Sequence, residues 1–122
     1  MTNPDVIDPQ AQVRLQEWGG PKLLTQMIKL FLENAPVRIE QVRKGALDAG
    51  AMKEAERGAH SLKSSAANVG AVTVSKISAE LEDLAMNADL AGVNAALPRL
   101  EAAYQLASAE LAATLATAKP EE

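Results

Sequence analysis

The sequence has 122 residues, which is the size of one domain, and its formal net charge is −4 at pH 7. Apolar residues make up 48% of it and 24 residues are alanine, whereas the only aromatic residues are Trp18, Phe31 and Tyr104. This composition favours closely packed helices over strands. Because there is no cysteine and His60 is the only histidine, a disulfide framework, a thiolate site and a multi-histidine metal centre are excluded. The acidic balance argues against a general nucleic-acid binder.

Neither end of the sequence nor its interior suggests a membrane or secretory segment. No apolar run approaches the roughly 18 residues that a transmembrane helix needs. The first ten residues, MTNPDVIDPQ, have neither the basic region nor the apolar core of a signal peptide. We therefore expect a cytoplasmic protein.

Glycine and proline divide the chain into predicted helices that are flanked by two short tails. One domain is expected over residues 9–118, between a flexible tail at 1–8 and a second tail at 119–122. A short first helix should run from Pro9 to Trp18. Asp8 is its expected N-cap, because aspartate accepts hydrogen bonds from the first turn and proline is favoured at the first helical position.

Four longer helices follow, each with apolar residues at every third or fourth position. They are predicted over residues 21–48, 51–69, 74–88 and 90–118. Pro36 and Pro98 lie inside these helices and should kink them, since proline lacks the N–H group that a helix interior needs. Gly70 is expected just past the end of the helix at 51–69, and Thr73 as the N-cap of the next helix.

The apolar seams of the four long helices predict an all-α fold. On the helix at 74–88, for example, the expected core positions are Val74, Ile77, Leu81, Leu84 and Ala88. Amphipathic helices with short connections bury such seams most simply as an up-down-up-down antiparallel four-helix bundle. The short helix at Pro9–Trp18 would then be an accessory to the bundle.

His60 is predicted to lie on the outer face of the helix at 51–69, opposite the apolar seam. Its neighbours on that face are Lys53, Glu56, Arg57, Lys63, Ser64 and Ala67. A neutral imidazole is a nucleophile near pH 7, and an ammonium group one turn away can pair with an arriving phosphoryl group. Ser64 can donate a hydrogen bond and leaves room for a bulky partner. Most lone surface histidines have no function, however, so position alone leaves the role of His60 open.

Two further features have structural interpretations. Gly58 lies nearer the apolar seam than the outer face, which favours close helix packing over a direct role beside His60. The acidic cluster of Glu80, Glu82 and Asp83 is expected to be a solvated face, because no further ligands for a metal ion lie near it in the sequence.

The segment GAHSLKSSAANVGA, residues 58–71, resembles the signature of histidine-containing phosphotransfer (HPt) domains, which are phosphorelay intermediates of two-component signalling. The matching residues are Ala59, His60, Leu62, Lys63, the small residues Ser64 to Ala67, Gly70 and Ala71. Upstream, LLTQMIKLFLENAP resembles the family's Phe-Leu-x-x-x-Pro helix, and downstream ISAELEDLA resembles its next helix, so the likeness covers roughly residues 10–115. Many members have glycine directly after the lysine, where this chain has Ser64.

The resemblance implies a four-helix bundle with an accessory helix, and phosphorylation of His60. Lys63 would compensate the phosphoryl charge, and the partner would contact Arg57, Ser64 and Ala67. The expected partners are receiver domains of response regulators or a hybrid histidine kinase, with no nucleic acid and no membrane, and the protein is expected to be a monomer. In the family the phosphorylated nitrogen is Nε2, which the sequence itself cannot select.

The same resemblance implies a phosphocarrier and not a kinase. The chain has no ATP-binding motif, no phosphate-binding glycine loop and no metal constellation, so we expect no cofactor and no metal site of its own. The divalent ion of the transfer reaction is expected only on the partner receiver domain. Two alternatives stay open from the sequence: a helical adaptor in which His60 is incidental, and the phosphoacceptor module of a larger kinase.

Overall fold

The computed structural model of the chain describes residues 6–117 and folds them into four long α-helices. The helices are α1 (Pro9–Leu47), α2 (Met52–Asn68), α3 (Val72–Met86) and α4 (Leu90–Thr117), with a short 3₁₀ turn at Ala49–Ala51. Each helix packs against the next, and α4 packs back onto α1. Because the connections between them are short, neighbouring helices run antiparallel. The predicted all-α four-helix bundle is confirmed.

The predicted accessory helix is the first part of α1. Gly20 separates it from the long part of the helix, because its φ of 72° and ψ of −172° form a combination that is essentially restricted to glycine. Asp8 caps the start as predicted, since its side chain accepts a hydrogen bond of 3.0 Å from the backbone N–H of Gln10. Pro9 occupies the first turn, where its missing N–H group costs no hydrogen bond.

Two residues of the expected N-terminal tail belong to the packed domain. Ile7 is only 2% exposed, and the backbone N–H of Asp8 donates to the carbonyl of Gly70 over 2.7 Å. Burial of an isoleucine side chain contributes about 1.5–3 kcal/mol, which is enough to hold a short segment against the bundle. One isolated apolar residue gives no periodic signal in the sequence. Residues 1–5 and the tail predicted at 119–122 lie outside the described residues.

The turn between α2 and α3 depends on Gly70, as predicted. Gly70 has φ 82°, and the N–H of Ala71 donates to the carbonyl of Ala66 over 2.8 Å, which is the hydrogen-bond pattern of a Schellman motif. A side chain at Gly70 would also approach the carbonyl oxygen of Asp8 to 2.5 Å. Glycine is therefore required both by the backbone conformation and by the packing of the N-terminal segment.

Most of the predicted core positions are buried, with corrections on α3. Ala88 is exposed and has φ 52° in the link that follows α3, and Leu84 is only partly buried. The prediction that Thr73 is the N-cap is also wrong. The helix begins at Val72 after Ala71, which makes no side-chain cap. The hydrogen-bonded turn at Gly70 sets this start.

The two internal prolines lie within continuous helices. Pro36 is inside α1 and Pro98 is inside α4, and the residue with non-helical backbone in α1 is Gly20 and not Pro36. Both prolines are exposed, so they lie on the solvent side of their helices. The long part of α1 therefore passes Pro36 and reaches the region that faces His60.

Candidate functional site

His60 lies on the outer face of α2, as predicted. Its side chain is 63% exposed, whereas Ala59 and Leu62 on the same helix are fully buried. Arg57, Ser64 and Ala67 are also exposed on α2. Residues three and four positions apart on a helix share a face, so these side chains surround the imidazole on the surface.

The carboxylate of Glu82, on α3, bridges His60 and Lys63. Its Oε2 atom lies 2.6 Å from Nδ1 of His60, and its Oε1 atom lies 2.7 Å from Nζ of Lys63. The Glu82 side chain is only 15% exposed, against 36% for Lys63. The three side chains form what we call the His60 cluster (His60, Lys63 and Glu82), in which one partly buried anion holds two groups of the neighbouring helix.

The environment of Glu82 keeps its carboxylate charged. The hydrogen bond from Lys63 is the main cause that lowers the pKa of Glu82, partial burial opposes it, and the hydrogen bond from His60 lowers the pKa further. An ionised carboxylate can only accept hydrogen bonds. The group is therefore a fixed acceptor at neutral pH.

This acceptor determines which nitrogen of the neutral imidazole carries the proton. Because the carboxylate cannot donate, Nδ1 must be the nitrogen that donates its N–H to Glu82. In the neutral ring the lone pair then lies on Nε2, for which no hydrogen-bond partner occurs within residues 6–117. The cluster thus presents an exposed imidazole with a nucleophilic nitrogen directed away from its carboxylate partner.

Close contact between helices positions the cluster. A Cβ atom at Gly58 would lie 2.8 Å from the backbone oxygen of Arg38, so glycine at this position lets α2 approach α1, as the sequence suggested. On the other side, the hydroxyl of Ser75 donates to the carbonyl of Lys63 over 2.9 Å and joins α3 to α2. The backbone that carries His60 and Lys63 is therefore held by both neighbouring helices.

An open cavity of about 550 Å³ adjoins His60. Its lining residues are Arg38 and Gln41 from α1, Glu56, Arg57, His60 and Ser61 from α2, and Glu82 from α3. Arg38 is half-buried and donates to the side-chain oxygen of Gln41 over 3.1 Å. The structure thus adds Arg38 and Gln41 to the surroundings of the histidine.

Two of the three acidic residues predicted as a solvated face, Glu80 and Asp83, are exposed, whereas Glu82 is only partly exposed. Glu80 pairs with Arg99 of α4, whereas Glu82 turns to α2 and joins His60 and Lys63. Within residues 6–117, no group of three potential ligands could hold a metal ion. The sequence did contain a weak signal that Glu82 is partly buried. Ser75, Ala79 and Glu82 follow one another at helical spacing, and this row lies beside the buried seam of α3.

Comparison with known proteins identifies the family. The sequence-family model that describes the Hpt domain matches residues 26–115 of this chain. The chain therefore belongs to the Hpt domain family. Hpt domains are phosphocarriers of phosphorelays and not kinases, so membership gives this chain a role in histidine phosphotransfer and an interaction with receiver domains or histidine kinases.

The fold is also that of a solved member of the family. The crystal structure of histidine-containing phosphotransfer protein B (HptB) from Pseudomonas aeruginosa PAO1 matches with a TM-score of 0.82 and 21% identity. The match covers 93% of this chain and 97% of that one. Among curated proteins the sequence has no significant match. No helix within the described range is long and apolar enough to cross a membrane.

Proposed function

We propose that His60 accepts a phosphoryl group from the aspartyl phosphate of one receiver domain and passes it to another receiver domain. The observation that carries this proposal is the exposed imidazole whose Nδ1 donates to Glu82, since this arrangement leaves the lone pair on Nε2. The surrounding small and basic residues, Arg57, Ser64 and Ala67, are the proposed contact surface for the partner. We propose that the protein does this as a monomer in the cytoplasm.

In the forward step, Nε2 of His60 attacks phosphorus in line with the bond to the receiver's aspartate. The new N–P bond forms while the acyl-phosphate P–O bond breaks, and the carboxylate of the aspartate leaves with the electron pair. The Nδ1 proton stays on the ring, where the Glu82 carboxylate stabilises the positive charge that develops on the phosphorylated imidazole. The return step to a second receiver reverses these bond changes.

Lys63 compensates the charge of the arriving phosphoryl group. Its ammonium group lies 2.7 Å from the carboxylate that also contacts His60, one turn after the histidine, so it is on the side of α2 to which the phosphoryl group comes. The divalent ion that phosphoryl transfer uses is proposed to come with the receiver domain. The protein's own contribution is therefore the nucleophile, its orientation and one cation beside it.

A transfer assay tests the proposal. A receiver domain that has been phosphorylated with labelled phosphate is mixed with the protein, and we expect an acid-labile label on the wild type and none on His60→Gln. Lys63→Ala should slow the transfer while the helical circular dichroism remains unchanged. Equal labelling of the His60→Gln variant would refute the assignment and would favour a helical adaptor in which the histidine is incidental.

A further inference from the structure

The cations around His60 differ in whether a carboxylate neutralises them. Lys63 is paired with Glu82 on the α3 side, and more distant cations such as Arg99 and Lys44 are also in ion pairs. Arg38 and Arg57 line the cavity beside His60, yet neither has a carboxylate partner among residues 6–117. Two adjacent positive charges are thus left unneutralised on the α1 side of the histidine.

The surroundings of Arg38 orient its side chain without neutralising its charge. The guanidinium of Arg38 donates to the neutral amide of Gln41 over 3.1 Å, which orients the group and preserves its charge. Glu56 lines the same cavity but forms no ion pair with either arginine. The charge of Glu82 is already engaged by the His60 cluster. The α1 side of the cavity therefore presents the oriented guanidinium group of Arg38 together with the exposed Arg57, and both are open to an anionic group from outside.

The proposed reaction brings such an anion to this place. A protein that presents an aspartyl phosphate together with a divalent ion needs further carboxylates to hold that ion, because magnesium prefers oxygen ligands. A receiver domain therefore carries carboxylates close to its phosphorylated aspartate. A guanidinium group binds carboxylates with two parallel hydrogen bonds and keeps its charge under all physiological conditions.

We propose that Arg38 and Arg57 form a basic docking edge that binds carboxylates next to the aspartyl phosphate of the receiver domain and sets the rate of docking. This inference rests on the proposed function of His60 as phosphoacceptor. The docking edge lies on the α1 side, whereas the small residues Ser64 and Ala67 continue the face towards the end of α2. An acidic rim on the partner would therefore fix its orientation over the imidazole.

Charges at the rim of an interface act mainly on the rate of association. They accelerate it, and salt weakens this effect by screening the charges. The basic docking edge should therefore appear in the second-order rate of phosphoryl transfer and in the dependence of that rate on ionic strength. Removal of the two charges should leave a slower transfer that responds less to salt.

The test compares charge variants of the full chain. The variants are Arg38→Glu, Arg57→Glu, their combination, and a combination of Arg38→Lys with Arg57→Lys. Lys29→Glu is the matched control, because Lys29 is exposed and lies nine residues before Arg38, which places it about 180° away around α1. The donor is the host receiver domain that labels the wild type fastest, charged with acetyl phosphate and Mg²⁺. Phosphoramidate serves as a second donor that has no docking surface.

We expect the double glutamate variant to lower the ratio of receiver-driven to phosphoramidate-driven labelling by about tenfold at low salt, with a much smaller change for Lys29→Glu. The double lysine variant keeps both charges and should recover most of the rate. Circular dichroism verifies that each variant is folded. If Arg38→Glu alone does not fold, Arg38→Gln combined with Arg57→Gln removes the charges with less change in the cavity and should lower the same ratio.

Two different results would contradict two different claims. If the folded charge variants transfer from the receiver at the rate of Lys29→Glu and with the wild-type salt dependence, the basic docking edge is refuted while His60 stays the phosphoacceptor. If phosphoramidate labels His60→Gln as well as it labels the wild type, the proposed function fails and the docking edge fails with it.

Discussion

Replacement of Gly58 by alanine tests whether the close contact of α1 and α2 beneath His60 is required. The new Cβ atom would lie 2.8 Å from the backbone oxygen of Arg38 and 2.8 Å from Cβ of Gln41. Ordinary contacts of a Cβ atom begin at 3.4 Å, so one of the two backbones must move by about 0.6 Å. Neither of the two contacted atoms is at the end of a flexible side chain. The strain therefore falls on the packing of α1 against α2.

Two opposing contributions determine the effect on stability. Alanine favours the helix interior over glycine by about 1 kcal/mol. Overpacking of a close contact costs about 1–3 kcal/mol. We therefore expect Gly58→Ala to lower the free energy of unfolding by about 1 kcal/mol. Because Arg38 and Gln41 both line the cavity next to His60, transfer from a receiver domain should slow as well.

The assay is a urea titration followed by far-UV circular dichroism, with Gly50→Ala as the control. A Cβ atom at Gly50 would meet only the side chain of Asp48, at 3.2 Å, and Gly50 is exposed. The control should therefore be neutral or more stable than the wild type by about 0.5 kcal/mol, since alanine restricts the unfolded chain. If Gly58→Ala is as stable as Gly50→Ala, the close approach of α1 and α2 does not depend on glycine and the reasoning is wrong.

Three further predictions concern α3. Glu82→Gln keeps the size of the side chain but removes its charge. It should slow phosphoryl uptake by about tenfold, which is the effect of one lost charge-assisted hydrogen bond. Nitrogen NMR should show a smaller fraction of the His60 tautomer that is protonated at Nδ1. Because the folded protein lowers the pKa of Glu82, the stability that this group contributes is present above its unfolded pKa and is lost as the pH falls through the folded value. Urea titrations should therefore separate wild type and Glu82→Gln at about pH 7, and the difference between them should shrink as the pH falls below the unfolded pKa of a glutamate. Ser78 is fully buried and its hydroxyl has no partner within the described chain, so Ser78→Ala should raise the free energy of unfolding by about 1 kcal/mol, whereas Ser75→Ala should lower it.

The helices and the exposed position of His60 could be predicted because both follow from local periodicity. Burial at every third or fourth residue identifies the side of α2 that faces the core, and the remaining side must face the solvent. The cap at Asp8 and the turn at Gly70 were also predictable, since each depends on one residue type in a local backbone conformation. The role of His60 came from the resemblance and not from its position.

The residues of α1 and α3 that surround His60 could not be predicted, because they lie on other helices. Glu82 is 22 residues away in the sequence and Arg38 approaches from α1, so their positions depend on how far each helix is shifted along its neighbour. Amphipathic periodicity determines which side of a helix is buried but not this shift. In the sequence, Glu82 has the same appearance as Glu80, which turns the opposite way towards Arg99.

The charges on the two sides of α2 indicate that chemistry and recognition depend on different sides of this helix. On the α3 side, the charge of Lys63 is engaged by Glu82 within the protein, and the Glu82 side chain is only 15% exposed, so a partner gains little by competing for Glu82. On the α1 side, the charges of Arg38 and Arg57 have no such partner within the described residues and are open to an external anion. A substitution on α3 should therefore change the phosphoryl-transfer step with any donor, including phosphoramidate. A substitution on the α1 side should change the choice among receiver domains, because only donors with an acidic surface respond to it.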